Sequence, residues 1–169
     1  VIPLDVMEKT SGVARAHGLK IHMDGARIFN AVAASGVPVD RYAAVSDTIQ
    51  FCFSKGLGAP VGSIVCGPAD LISEIRYLRK RLGGGMRQAG VIAAAARVAL
   101  AGRDRLVEDH ALARLLGDAI AEKFPKAVDP SLIETNMVRV QFAALGIEWP
   151  EMKARLDGAG IKVNPPLGG

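Results

Sequence analysis

Two short apolar segments, each ending at a charged residue, constrain this chain more than any other feature. Residues 20–23 lead into Asp24, and residues 47–53 lead into Ser54 and Lys55, which are followed by glycines at 56, 58 and 62. Both segments have the length and composition of buried β-strands. In open α/β sheets, ligands bind beyond the carboxyl ends of the strands. A carboxylate and a lysine at one such edge therefore predict a site where both groups contact one small molecule from two sides.

The pair Asp24 and Lys55 suits pyridoxal phosphate chemistry. In that chemistry a lysine amine forms a Schiff base with the cofactor aldehyde, and an aspartate pairs with the pyridinium nitrogen. The glycines after Lys55 let the backbone approach a ligand closely. The residues alone leave two simpler interpretations open. Lys55 can be a solvated turn residue, and Asp24 can be the N-cap of a helix that begins near Arg27.

Hydrophobic spacing predicts alternating helices and strands over the first hundred residues. We expect helices over 5–17, 27–34, 69–82 and 87–101, a helical turn at 40–42, and strands over 19–23, 48–53 and 61–66. Gly18 and Gly102 follow predicted helix ends. The alternation indicates an α/β fold.

The pattern changes from residue 104 onward. A long helix over 104–124 is followed by short predicted strands at 126–128, 136–142 and 161–163 and by a helix at 149–159. We therefore expect residues 1–103 to be the carboxyl-terminal part of a large domain and residues 104–169 to be a smaller α+β domain. The chain starts without methionine and stops in a predicted loop at 165–169, so we expect both ends to be truncated.

Composition argues against nucleic-acid and membrane partners. The net charge of +4 is spread along the chain, aromatic residues make up only 5%, and the basic cluster at 76–81 has no recognition module around it. No apolar run reaches the length of a membrane span. Cys52 and Cys66 lie in apolar strand-like runs, which predicts reduced thiols in a cytoplasmic protein and no metal site.

Three motifs, in the same order along the chain, resemble the low-specificity L-threonine aldolases. They are residues 22–31 (HMDGARIFNA), 54–63 (SKGLGAPVGS) and 83–90 (GGGMRQAG). The resemblance extends to about Pro166. It implies a fold-type I pyridoxal-phosphate enzyme with a mostly parallel sheet in its large domain. It also implies a homo-oligomer, a dimer or a homotetramer, whose subunits share active sites.

The resemblance gives roles to particular residues. Lys55 would carry the Schiff base and Asp24 would hold the pyridine nitrogen. Arg27 would face the cofactor's phenolic oxygen and the substrate carboxylate, for which a planar guanidinium is suited. Arg87 would reach the cofactor phosphate from a neighbouring subunit.

Two further residues have weaker assignments. Lys80 matches a family lysine near the active-site entrance, but a solvated charge among Arg76, Arg79 and Arg81 explains it equally well. Ser54 would help to position the phosphate or Lys55.

The implied reaction is cleavage of L-threonine, L-allo-threonine and related β-hydroxy-α-amino acids to glycine and an aldehyde. The family also has an upstream phosphate-binding segment, a histidine that stacks on the cofactor ring, and a downstream arginine for the substrate carboxylate. None of these is in the sequence, so we expect this chain alone to be weakly active or inactive.

Two alternatives stay open. The chain can belong to another fold-type I enzyme, such as a β-eliminating lyase or an aminotransferase, that shares only the roles of the aspartate and the lysine. It can also be a non-catalytic scaffold or assembly domain that retains the motifs. Such a scaffold would form no Schiff base on Lys55.

Overall fold

The computed structural model describes residues 1–163, and the predicted loop at 165–169 lies outside that range. Contacts divide the chain into two compact units, Val1–Asp109 and His110–Gly169. These units describe contacts within this chain and do not test domains of a longer protein. The expected division into domains at 1–103 and 104–169 therefore stays a prediction.

The first unit alternates helices and strands, which confirms the α/β class. Its elements, in chain order, are α1 (Leu4–Ala16), β1 (His22–Asp24), α2 (Ile28–Ser35), α3 (Val39–Ala43), β2 (Thr48–Cys52), β3 (Ser63–Cys66), α4 (Ala69–Arg81) and α5 (Gly90–Ala101). Most bounds agree with the predicted ones to within one or two residues. The largest shifts are at β1 and α5, each of which begins three residues later than predicted.

The sheet has the order β1-β2-β3 and is mixed. Strands β1 and β2 are parallel, whereas β2 and β3 are antiparallel. The expected mostly parallel sheet is therefore not what the three described strands form. The physical reason is the connection at 53–62, which contains no helix, because a parallel neighbour needs a crossover of about a dozen residues or more.

Asp47 fixes the start of the parallel pair. Its carboxylate accepts a hydrogen bond from the backbone N–H of Ile21 at 2.8 Å, and the backbone N–H of Asp47 donates to the carbonyl of Ile21 at 2.8 Å. The Ile21 N–H first, and then the nearby charge of Lys20, hold the pKa of the Asp47 carboxyl below its usual value. The charged carboxylate therefore contributes to holding β1 beside β2.

Alternate residues of β2 build the core of the first unit. Ile49 is buried with Ile28 and Tyr42, and the ring of Phe51 contacts the rings of Phe29 and Phe53 at centroid distances of 5.2 and 5.1 Å. Side chains alternate between the two faces of a strand. The remaining β2 positions, among them Gln50 and Cys52, therefore lie on the opposite face.

The second unit is helical in the residues described. Helix α6 (Leu106–Lys123) leads into it, and helix α7 (Trp149–Gly158) follows 3-10 turns at Pro130–Leu132 and Phe142–Leu145. Ala127 and Val128 are buried, and the side chain of Ile133 packs closely against Gly117.

The three strands predicted in this region are wrong for the described residues. Residues 126–128, 136–142 and 161–163 contain no strand. A strand is stable only beside a hydrogen-bonded neighbour. One backbone hydrogen bond, from Gln141 N–H to the Ala127 carbonyl at 2.7 Å, connects two of these segments, and a single bond does not make a ladder.

Candidate active site

The parallel pair of strands brings Asp24 and Lys55 to the same edge of the sheet. Asp24 is the last residue of β1 and lies opposite Gln50 of β2. Strand β2 ends at Cys52, and Lys55 follows in the bend after it. Both side chains are exposed in this chain. The edge that the sequence predicted as a binding site therefore presents one carboxylate and one amine from neighbouring strands.

The carboxylate of Asp24 is oriented by two donors that reach the same oxygen. Its Oδ1 accepts a hydrogen bond from the backbone N–H of Ala26 at 3.1 Å and another from Nε2 of Gln50. The N-cap position of α2 belongs to Arg27, so the interpretation of Asp24 as that helix's cap is wrong. The carboxylate is instead fixed at the strand edge.

The loop that carries Lys55 is closed by backbone hydrogen bonds. The carbonyl of Lys55 accepts from Gly58 N–H at 2.9 Å, and the carbonyl of Phe53 accepts from Ala59 N–H at 2.9 Å. Gly58 has a φ of +85°, a conformation that L-residues rarely adopt. The turn itself therefore favours glycine at position 58.

Three side chains that the sequence analysis did not single out pack against this loop. Nη2 of Arg105 donates to the carbonyls of Gly56 and Leu57 at 3.1 and 3.2 Å. Leu106, which is fully buried, and Asn30, which is 3% exposed, lie against Gly56, where a Cβ would be 3.0 and 3.1 Å from their side chains.

Arg27 lies beside the same loop. A small pocket at this edge is lined by residues of the first two motifs and by Cys52, namely Ala26, Arg27, Ile28, Phe29, Asn30, Cys52, Gly56 and Leu57. The Arg27 side chain is exposed. A guanidinium at this position can take a carboxylate or a phenolic oxygen of a small ligand.

The other predicted site residues are placed differently. Ser54 is exposed next to Lys55. Lys80 is in the last turn of α4 and packs against Gly85, where a Cβ would be 2.5 Å from its Cδ, and Arg87 is exposed ahead of α5. Within residues 1–163, the hydrogen bonds of the Asp24 carboxylate come from Ala26 and Gln50, and neither Lys80 nor Arg87 is among its partners.

The residues at the strand edge fit pyridoxal phosphate. An amine, an oriented carboxylate and a guanidinium are the groups that bind its aldehyde, its ring nitrogen and its acidic oxygens. No group of three histidine, cysteine, aspartate or glutamate side chains suited to a metal ion occurs among the described residues. In the same part of the chain, no helix is both long enough and apolar enough to cross a membrane.

A lysine and an aspartate at the carboxyl edge of an α/β sheet are typical of pyridoxal-phosphate enzymes whose large domain is built in this way. The chain belongs to the beta-eliminating lyase family, whose model matches residues 1–143. That match contains all six site residues predicted from the sequence.

Individual relatives agree with the family assignment. The chain is 45% identical over 138 residues to "Low-specificity L-threonine aldolase 1" of Arabidopsis thaliana, covering 81% of this chain and 38% of that protein. It is 34% identical over 171 residues to "Low specificity L-threonine aldolase" of Saccharomyces cerevisiae, covering 100% of this chain and 43% of that protein.

A solved structure has the same fold. A candidate aromatic amino acid beta-eliminating lyase/threonine aldolase from Exiguobacterium sp. 255-15 superposes with a TM-score of 0.70 at 28% identity, covering 82% of this chain and 40% of that one. The chain thus spans about two fifths of the length of the proteins it matches.

Proposed function

We propose that the full-length protein is a pyridoxal-phosphate-dependent aldolase. It cleaves L-threonine, L-allo-threonine and related β-hydroxy-α-amino acids to glycine and an aldehyde, and so acts as a carbon–carbon lyase. The observation that carries the proposal is that Asp24 ends β1 and Lys55 follows the parallel strand β2, at the same edge of the sheet. The chain belongs to this family and is 45% identical to an L-threonine aldolase over 81% of its own length.

Bound pyridoxal phosphate supplies the electron sink for cleavage of the bond between Cα and Cβ. Lys55 would hold the cofactor covalently through its amine. Asp24 would hold a proton at the ring nitrogen through a charged hydrogen bond. Gln50 and Ala26 keep that carboxylate in place.

The remaining residues serve binding. Arg27 pairs with the substrate carboxylate and with the cofactor's phenolic oxygen, which its place beside the Lys55 loop supports. Ser54 helps to position the phosphate or Lys55. Arg87 reaches the cofactor phosphate of a neighbouring subunit, and Lys80 lines the entrance to the site.

The same proposal includes an oligomer. The segment around the triple glycine exposes large apolar side chains: Leu82 is 84% exposed, Met86 53% and Val91 76%. Apolar side chains at this density are typical of surfaces that another chain or another part of the protein covers.

We place the homo-oligomer, a dimer or homotetramer, in the cytoplasm, which the free thiols of Cys52 and Cys66 support.

Product analysis tests the reaction. The purified full-length protein, loaded with pyridoxal phosphate, is incubated with L-threonine and with L-allo-threonine, and the products are separated. Glycine and acetaldehyde in equal amounts are expected. Ammonia with a keto acid would instead identify a β-eliminating lyase.

A further inference from the structure

We propose that Arg105 is a positioning residue for Lys55. This inference rests on the proposed function, because it concerns the amine that binds the cofactor. Arg105 lies in the 3-10 turn Arg103–Arg105, immediately before α6. Its guanidinium reaches back across the first unit to the loop after β2 and donates to two successive carbonyls, those of Gly56 and Leu57.

The contact is charge-assisted. One nitrogen, Nη2, serves both carbonyls, at 3.1 and 3.2 Å. Charged donors make stronger hydrogen bonds than neutral ones. The two carbonyls belong to the residues that directly follow Lys55, so their position sets the direction in which the Lys55 side chain leaves the loop.

Gly58 makes room for this contact. A Cβ at Gly58 would lie 2.7 Å from Nη2 of Arg105, and Gly58 has a φ of +85°. The N–H of the same glycine closes the turn on the carbonyl of Lys55. The glycine and the arginine thus act together on one turn.

The turn is also anchored by packing. Leu106, the neighbour of Arg105, is fully buried in the core cluster that contains Phe53 and Leu57. This anchors the base of the arginine side chain. Arg105 therefore links the start of α6 to the loop that carries the reactive amine.

The test compares three variants of the full-length protein with the wild type: Arg105→Ala, Arg105→Lys and Arg103→Ala. Arg103 is the matched control, because it lies in the same turn but its Nη1 donates to the nearby carbonyl of Leu100 at 3.2 Å. Two quantities are measured. The first is amide hydrogen exchange of residues 54–60 without cofactor, and the second is the rate at which added pyridoxal phosphate becomes borohydride-fixed on Lys55, followed by mass spectrometry.

In Arg105→Ala we expect exchange of residues 54–60 to accelerate and fixation on Lys55 to slow, each by about tenfold, the size expected for losing charge-assisted hydrogen bonds. Exchange in α1 stays unchanged, which separates a local effect from general unfolding. Arg105→Lys, which keeps a charged donor, recovers part of both effects, and Arg103→Ala matches the wild type.

Two results would overturn the inference. One is that amide exchange of the loop and the rate of fixation on Lys55 in Arg105→Ala are the same as in the wild type. The other is equal acceleration of exchange in the loop and in α1, which would show a general stability effect. Failure of the proposed function has a different signature: no fixation on Lys55 even in the wild type, whatever the exchange of the loop.

Discussion

Gln50 donates a hydrogen bond through Nε2 to Oδ1 of Asp24, directly across the parallel pair β1–β2. The two residues are opposite each other in the register, and the backbone N–H of Ala26 reaches the same oxygen. The residue that we assign to the cofactor ring is therefore held by its neighbouring strand. One of its two donors therefore comes from the sheet and the other from the turn that follows β1.

Replacing Gln50 tests this support. In Gln50→Leu, Asp24 loses one of its two donors, and we expect the dissociation constant for pyridoxal phosphate to rise about tenfold, the size expected for a hydrogen bond to a charged group. Titration of the visible absorption band measures it. Thr48→Val is the control, because Thr48 lies on the same face of β2 but pairs with His22. Equal dissociation constants in both variants and the wild type would refute the support role.

Gly58→Ala tests the fit between the turn and Arg105. The new Cβ displaces the guanidinium from the two carbonyls, so we expect a loss of about 2–4 kcal/mol in the free energy of unfolding. Gly36→Ala is the control. Gly36 also has a positive φ, +71°, but a Cβ there meets nothing within 4 Å, so only the backbone cost of about 1–2 kcal/mol applies.

We also expect the effects of substituting Gly58 and Arg105 on the free energy of unfolding to be non-additive. In an Arg105→Ala background, Gly58→Ala should cost no more than Gly36→Ala does, because the displaced group is already gone. Denaturant unfolding of the single and double variants measures the coupling. An unchanged cost in that background would mean that Gly58 and Arg105 do not interact.

Asp47→Asn tests how the parallel pair is fixed. The folded pKa of Asp47 is lowered from its ordinary value of 3.8, chiefly by the Ile21 N–H and then by Lys20. The stability it contributes is therefore present above pH 3.8 and is lost as the pH falls through the lowered folded value. We expect the Tm of the variant to be lower than that of the wild type at neutral pH and the difference to shrink in acid.

A control for Asp47 is available on the surface. Asp5→Asn breaks an exposed pair with Lys9, whose charged atoms are 3.1 Å apart, and exposed pairs of this kind contribute little. Its Tm should stay near that of the wild type. A difference for Asp47→Asn that persists unchanged to low pH would rule out the ionised carboxylate as the cause.

Arg27→Lys tests the proposal that Arg27 pairs with the substrate carboxylate. Lysine keeps the charge but loses the planar pair of donors, so we expect KM for L-threonine to rise about tenfold with a smaller change in kcat. Steady-state kinetics measure both constants. Arg41→Lys, which alters a surface pair with Glu8, is the control. A fall in kcat at constant KM would place Arg27 in the chemical step instead.

Local pattern predicted the helices and strands of the first unit well, because each has its own hydrophobic period and its own stop signal. The direction of β3 was missed, although the short connection at 53–62 carries the signal. The strands proposed after residue 125 were wrong because strand-like composition does not provide a hydrogen-bonding neighbour. Asp24 and Lys55 could be found because each follows a recognisable strand.

The supporting residues could not be found in this way. The pairing of Gln50 with Asp24 depends on the register between two strands, which local pattern does not specify. Arg105 is separated from the carbonyls of Gly56 and Leu57 by 49 and 48 positions. Among the supporting residues, only Asn30 could have been noticed from local sequence, because it is a polar residue within the apolar face of α2.

The most direct test of the account is the state of Lys55. The full-length protein and its Lys55→Ala variant are mixed with pyridoxal phosphate, and absorption spectra are taken before and after borohydride. The account predicts a visible band in the wild type that borohydride fixes onto Lys55, and no such band in the variant. A colourless wild-type protein, or a band that survives in Lys55→Ala, would contradict it and leave a non-catalytic scaffold as the better explanation.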